Sequence, residues 1–203
     1  MELRGTTPAV KQRLIAAFLD ITASRGIDQA TMREVAKQAG VSVGSVQYYC
    51  RTRDEMLVIV FEHVMDRIVA RGEAIARSGP VGSVIRAYAR EFLPLDAPRA
   101  DEQRVYLAFV ARAAVMPALA KVQHALTARL RSACVEAFQL AQQRGEARSQ
   151  FDADIAAHAT IALLDGLLVH LLTDPDALSP ETALAILDDH LGRYVAIGRP
   201  DRG

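Results

Sequence analysis

Apolar residues recur at three- and four-residue intervals along nearly the whole chain, the period of helices with one buried face. Val10, Leu14, Ala17 or Phe18, and Ile21 form the first stripe. It opens at Thr7-Pro8, an N-cap followed by proline at the first helical position, and runs to Arg25-Gly26. Met32, Val35, Ala36 and Ala39 form a second, shorter stripe. Met56, Val60, Val64, Ile68 and Ile75 predict a long helix from Thr52 to about Arg77, stopped by Ser78-Gly79-Pro80. Beyond Val81 the pattern stays helical and predicts elements near 82–93, 101–115, 117–144, 153–172 and 180–197. Ser179 and Pro180 supply the N-cap and first residue of the last. The breaks fall at Pro94–Pro98, Met116-Pro117, Gly145–Ala147 and Asp174–Asp176, and Arg199–Gly203 is expected to fray. Nothing alternates with the period of a strand, so the expected fold class is all-α.

The stretch Thr31–Tyr49, TMREVAKQAGVSVGSVQYY, organises the first third of the chain. Thr31 and Glu34 have capping-box spacing, in which the threonine hydroxyl accepts from the Glu34 amide and the carboxylate reaches back to the Thr31 amide. Gly40 stands where a left-handed residue ends a helix, and Ser42 can cap a second one. That second helix has small Gly44 and Ser45 at its front and Gln47, Tyr48 and Tyr49 behind them. Short side chains suit close backbone approach to DNA, and polar or aromatic ones suit base edges and phosphates. An ordinary helical hairpin fits the periodicity equally well. A second capping-box pair, Thr52 and Glu55, opens the long helix directly after it.

Composition and charge narrow the choice. With 203 residues, 51% of them hydrophobic, the chain can bury a sizeable core without staples. Two distant cysteines, Cys50 and Cys134, and no basic-apolar leader point to a cytoplasmic protein. Ile155–Thr173 is interrupted by Asp165 and carries His158 and His170, so it reads as a buried helix, with no membrane partner. The formal net charge is zero, but residues 1–54 hold eight Lys/Arg against five Asp/Glu. A slightly basic head on an acidic body suits a nucleic-acid-binding module attached to a part with another task. The histidines His63, His124, His158, His170 and His190 have no metal-ligand spacing, and phosphate-loop, zincin and nucleophile-elbow motifs are missing. Neither enzyme, metal nor cofactor is expected.

The support helix, the capped helix-turn-helix and the TRDEML opening of the long helix together resemble the N-terminal domain of the TetR family of bacterial transcriptional regulators. The run Val105–Pro117, the Gly145 turn and Leu163–Leu168 are similar to the C-terminal domain of its betaine-regulator-type branch. The resemblance implies a helix-turn-helix domain over 1–54 and a helical effector-binding and dimerisation domain over 55–203. It also implies a homodimer on double-stranded operator DNA, most often a repressor, released by a small-molecule effector. A helical ligand-binding or interaction protein without DNA binding is the alternative. By the family pattern Val43, Ser45, Gln47 and Tyr48 lie in or beside the major groove, with Thr31, Ser42, Tyr49 and Arg53 on phosphates. Gln47 stands in place of a frequent aromatic or aliphatic residue and Cys50 in place of a frequent phenylalanine.

For the effector, the expected lining residues are Phe61, Val64, Met65, Tyr88, Phe92, Tyr106, Phe109, Arg112, Met116 and His124. Arg112 in a mostly apolar wall would favour an anionic or carbonyl-bearing molecule. The expected dimer face is Ile161, Leu164, Leu168, Leu171 and Leu172 on one helix with Leu184, Leu187, Leu191, Tyr194 and Val195 on the next, Gly166 permitting close approach.

Overall fold

The computed structural model describes residues 7–74, 79–148 and 150–197. Among these residues the helices are α1 (Thr7–Arg25), α2 (Met32–Gln38), α3 (Val43–Tyr49), α4 (Arg53–Glu73), α5 (Val81–Glu91), α6 (Ala97–Ala113), α7 (Pro117–Gln143), α8 (Ala153–Thr173) and α9 (Pro180–Gly192), with one 3-10 turn at Ile27–Gln29. The expected end of the long helix near Arg77, its Ser78 stop and the terminal Arg199–Gly203 lie outside the described residues. The all-α expectation holds. Strand pairing among the described residues is limited to one isolated bridge, Ala147 to Val195.

By contacts the chain packs as two compact units, Met1–Arg67 with Asp101–Val122, and Ile68–Ala100 with Gln123–Gly203. The first is built on α1. Leu14, Ile15, Phe18 and Ile21 are buried there with Val35, Ala36 and Ala39 of α2, Val46 of α3, and Met56, Leu57 and Val60 of α4. Further along α4, Phe61 stacks face to face on Phe109 of α6, centroids 3.6 Å apart. Glu102, nearly buried on α6, is neutralised by Arg67 at 3.1 Å. A carboxylate this dry needs such a partner.

The second unit has an alanine-rich seam. Ala153, Ala156 and Ala157 of α8 meet Ala183, Leu187 and Leu191 of α9, Val81, Ile85 and Ala89 of α5, and Phe138 of α7. Small residues let these helices approach closely. Arg86 of α5 clamps Asp188 of α9 with both prongs, Nε to Oδ1 at 2.5 Å and Nη2 to Oδ2 at 2.8 Å.

Two boundaries and one cap depart from the expected ones. Helix α6 begins at Ala97 instead of 101, because the Asp96 carboxylate accepts from the Arg99 amide at 2.9 Å and starts the helix early. Helix α9 stops at Gly192 instead of 197, because the chain leaves it to form a strap. In that strap Arg148 donates to the Tyr194 carbonyl and Ala196 to the Glu146 carbonyl, while Val195 is fully buried. The Glu146 carboxylate also accepts from the Val81 amide at 2.5 Å, capping α5 from 65 residues away. Lastly, the Thr31 capping box is half made. Thr31 accepts from the Glu34 amide at 3.2 Å, but its own amide donates to the Gln29 carbonyl of the 3-10 turn. Glu34 is thereby left to bind Arg25 at the end of α1.

Candidate nucleic-acid interface and effector site

Helices α2 and α3 are joined by Ala39-Gly40-Val41-Ser42. Gly40 has φ 64°, a left-handed turn that glycine adopts without strain. The Val41 amide returns to the Ala36 carbonyl and the Gly40 amide to that of Lys37, which ends α2 in a Schellman motif. The Ser42 hydroxyl then accepts from the Ser45 amide at 3.1 Å and starts α3. Seven residues cannot hold a helix alone in water. Val46, fully buried, anchors α3 to the unit.

That anchoring decides what α3 presents. Val43, Gly44, Gln47 and Tyr48 are exposed, Tyr48 at 78% of its surface, so one face of α3 stands open to solvent. Thr31 and Ser42, both exposed, begin the two helices beside it. Ser45 is half-buried, and its hydroxyl lies 2.9 Å from that of Ser42, so it is partly engaged within the turn. Tyr49 is half-buried and packs edge-on against Tyr48, centroids 5.2 Å apart. Arg53 is not directed outward. Its Nη2 donates to the Ile27 carbonyl and pairs with Asp28 at 3.3 Å, fastening the loop before α2 to the first turn of α4. The signal for this was present in Asp28, but a pair separated by 25 residues has no local pattern.

Cys50 ends α3 as a buried residue. A small apolar cavity beside it is lined by Leu14, Ile15, Tyr49, Met56, Ile59 and Val60. Burial, with the Glu55 carboxylate assisting, pushes its thiol up to about 11, and burial alone takes Cys134 to about 11. Both are held as thiols, the unreactive form.

The expected effector-lining residues divide between the units. Phe61, Val64, Met65 and Phe109 are buried in the first, with Tyr106, Arg112 and Met116 half-buried there. Tyr106 extends the Phe61–Phe109 stack, 6.2 Å from Phe61. Arg112 is already paired, its Nη2 donating to Asp54 at 2.7 Å. In the second unit Tyr88 and Phe92 are half-buried and His124 is exposed. The Tyr88 ring covers Gly72, where any Cβ would lie 2.5 Å from it.

The expected dimer face also divides. Leu168, Leu171, Leu187, Leu191 and Val195 are buried within their own chain, so they are not available to a partner. Ile161, Leu164, Leu172, Leu184 and Tyr194 are half-buried, and Leu164, Leu184 and Tyr194 pack against that same core. What α8 and α9 leave open is a different stripe: Ile155, Ala162, Gly166 and Val169, with Ala185 and Ile186. Outside its own helix backbone, nothing among the described residues lies within 4 Å of a Cβ built on Gly166. Helix α8 is long and apolar enough to cross a membrane by length and composition, but its buried side carries the alanine seam of the second unit. No metal-binding cluster occurs among the described residues.

Residues 14–59 match the family of bacterial regulatory proteins named for tetR, and residues 83–196 match the C-terminal domain of BetI-type transcriptional repressors. The HTH-type transcriptional regulator PksA of Bacillus subtilis is 26% identical over 186 residues, covering 89% of this chain and 87% of its own. A transcriptional regulator from Rhodococcus sp. Rha1 is 31% identical, with a TM-score of 0.82 over 93% of this chain and 99% of its own. A regulator from Saccharomonospora viridis, solved in complex with choline, has the same fold at 22% identity, with a TM-score of 0.81 over 94% of this chain and 100% of its own.

Proposed function

Because the chain belongs to the TetR family and is therefore a DNA-binding transcriptional regulator, not an enzyme, we propose that α3 reads the operator and that a small molecule bound by the later helices releases it. The single observation that carries this reading is the open face of α3, with Val43, Gly44, Gln47 and a largely exposed Tyr48 on a helix held only from behind. Gln47 has the amide to pair with adenine, Val43 offers an apolar contact to a thymine methyl, and Tyr48 donates or accepts one bond. Thr31 and Ser42 present hydroxyls and helix N-termini to phosphates, and Tyr49 adds its hydroxyl. In this structure Arg53 serves as a fastener of the reading unit.

A homodimer follows from the same reading, since two half-sites must act together for a head this small to bind tightly. The open stripe of α8 and α9 is its face, with Gly166 permitting helix-to-helix contact and Ile155, Val169 and Ile186 supplying apolar area. The effector binds beside the apolar and aromatic residues of the first unit, Phe61, Phe109 and Met116, and shifts α4, whose first turn directly follows the reading helix. The spacing of the two reading helices then no longer matches successive major grooves. Choline in the Saccharomonospora regulator gives one ligand for the same fold. A DNA partner supports a cytoplasmic location, and the match to BetI-type repressors supports action as a repressor.

Footprinting on the DNA next to its own gene tests the reading. Protection of two half-sites about one helical turn apart supports it, and uniform or absent protection refutes it.

A further inference from the structure

The guanidinium of an arginine presents Nε–H and one Nη2–H side by side, the fork that donates to both oxygens of one carboxylate. At Arg112 this fork is half filled. Asp54 takes Nη2 through Oδ1 at 2.7 Å, while Nε is shut off from solvent and has no acceptor among the described residues. A buried N–H without an acceptor carries the desolvation penalty of that group uncompensated. Both side chains are about one-third exposed, 34% each, so a small solute meets the pair at its outer atoms and reaches Nε only as Asp54 gives way. The surroundings are apolar: Met116 Sδ lies 3.8 Å from Nη2, and one turn back on α6 stands Phe109, stacked on Phe61.

Asp54 occupies a telling position. It lies in the first turn of α4, beside Arg53, which is fastened to Ile27 and Asp28 ahead of α2. The same turn is capped by Thr52, which accepts from the Glu55 amide at 3.1 Å, and by Glu55, which accepts from the Arg51 amide at 2.7 Å. Two neighbouring residues of opposite charge thus make the turn a junction, Arg53 tying it to the reading unit and Asp54 to α6.

We propose that Arg112 is the anchor for the effector and that the effector carries a carboxylate, which takes the Nε/Nη2 fork with both oxygens and displaces Asp54. This rests on the reading of the chain as an effector-released regulator. The exchange cuts the tie between α6 and the first turn of α4, and the reading unit loses the brace that Arg53 passes on to it. A neutral acceptor has no charge to match that of Asp54, so it leaves the tie intact. A cation has no acceptor to offer the fork and leaves the tie intact. The arrangement therefore discriminates by charge at the moment of release.

The test uses the whole protein with sodium benzoate as probe, benzamide as its uncharged counterpart, and sodium chloride to match ionic strength. In ¹H–¹⁵N spectra without DNA, the Arg112 Nε–H resonance shifts with benzoate. On operator DNA, saturating benzoate lowers affinity at least tenfold and benzamide less than twofold. Arg112→Lys keeps the charge but lacks the fork, and loses the benzoate response. Asp54→Asn, with its tie already weakened, binds operator about threefold less tightly before any benzoate is added, the size of a part-exposed ion pair. An Nε resonance indifferent to benzoate, or an Arg112→Lys protein released as readily as the wild type, overturns the proposal. The spectra contain no DNA, so a shifted Nε in a protein that ignores operator DNA refutes the regulatory reading alone. Release by another effector with a silent Nε refutes this inference alone.

Discussion

At Cys50 the chain has a small side chain, and the structure shows a small apolar cavity beside it. The thiol donates weakly to the Val46 carbonyl at 3.6 Å and is otherwise packing. Its burial, like that of Cys134, holds it protonated far above neutral pH. Thiol reagents at pH 7 are expected to leave both cysteines unmodified in the folded protein and to label both in denaturant, a difference mass spectrometry reads directly. Labelling of folded Cys50 would mean that the reading helix lifts off its support. Residue-scale expectations failed where a distant partner intervened. Glu34 looked like a local cap and Arg53 like an outward cation, but Arg25, nine residues from Glu34, and Asp28, 25 residues from Arg53, pair with them. Such pairings leave no periodic trace in a sequence. The exposed Val43, Gln47 and Tyr48, by contrast, were legible, because buried Val46 fixes which face of a two-turn helix points outward.

Two glycines separate functional from structural demand at the scale of the element. A Cβ on Gly44 would meet nothing closer than the Ser42 hydroxyl at 3.7 Å, so the fold tolerates alanine there. Gly44→Ala should melt no lower than the wild type, and gains up to about 1 kcal/mol of helix propensity. Its operator affinity should fall, because the backbone of α3 needs that space against DNA. Unchanged affinity would remove the close approach from the account. Gly82 is the opposite case. A Cβ there would sit 2.4 Å from the Ala196 carbonyl oxygen of the strap. Gly82→Ala is therefore expected to lower stability by about 1–3 kcal/mol, measured by denaturant unfolding, and an unchanged midpoint would show the strap to be easily displaced. The existence of all the long helices was readable from apolar periodicity and caps. The early start of α6 and the early end of α9 were not, since Asp96 offered an N-cap without a distinctive spacing and the strap depends on Glu146 and Ala147 from another turn.

For the whole molecule, acid should act through histidines. Burial, more than nearby charges, holds His63 and His190 below the ordinary imidazole value of 6.5. The Thr160 hydroxyl donates to the Ala156 carbonyl at 2.8 Å, so at His190 it accepts from Nε2–H at 2.9 Å. A histidine that binds its proton more weakly when folded favours unfolding once the unfolded chain takes that proton up. Stability is thus complete above 6.5 and declines as pH falls below it towards the folded values. Thermal melting followed from pH 7.5 to 5 should show this decline, and His190→Gln should flatten it; an unaltered slope would assign the decline to other groups.

The dimer face was legible only in part. Apolar periodicity marked one line of residues on each of α8 and α9, but periodicity does not say which stripe a chain spends on its own core. Leu168, Leu171, Leu187 and Leu191 went inward, and Ile155, Gly166, Val169 and Ile186 stayed out. Changing Val169 and Ile186 to glutamate should yield monomers by sedimentation with secondary structure intact; a persistent dimer would place the interface elsewhere. The claim on which everything else depends is that α3 reads a sequence. It is tested most directly by equilibrium binding to the DNA next to the protein's own gene and to a scrambled fragment, across salt concentrations, for the wild type and for Gln47→Ala with Tyr48→Ala. The wild type should prefer the operator by at least about 10³-fold, with affinity falling steeply as salt rises. The double variant should lose most of that preference while keeping the salt slope. Equal affinity for both fragments, or a double variant with undiminished preference, would contradict it.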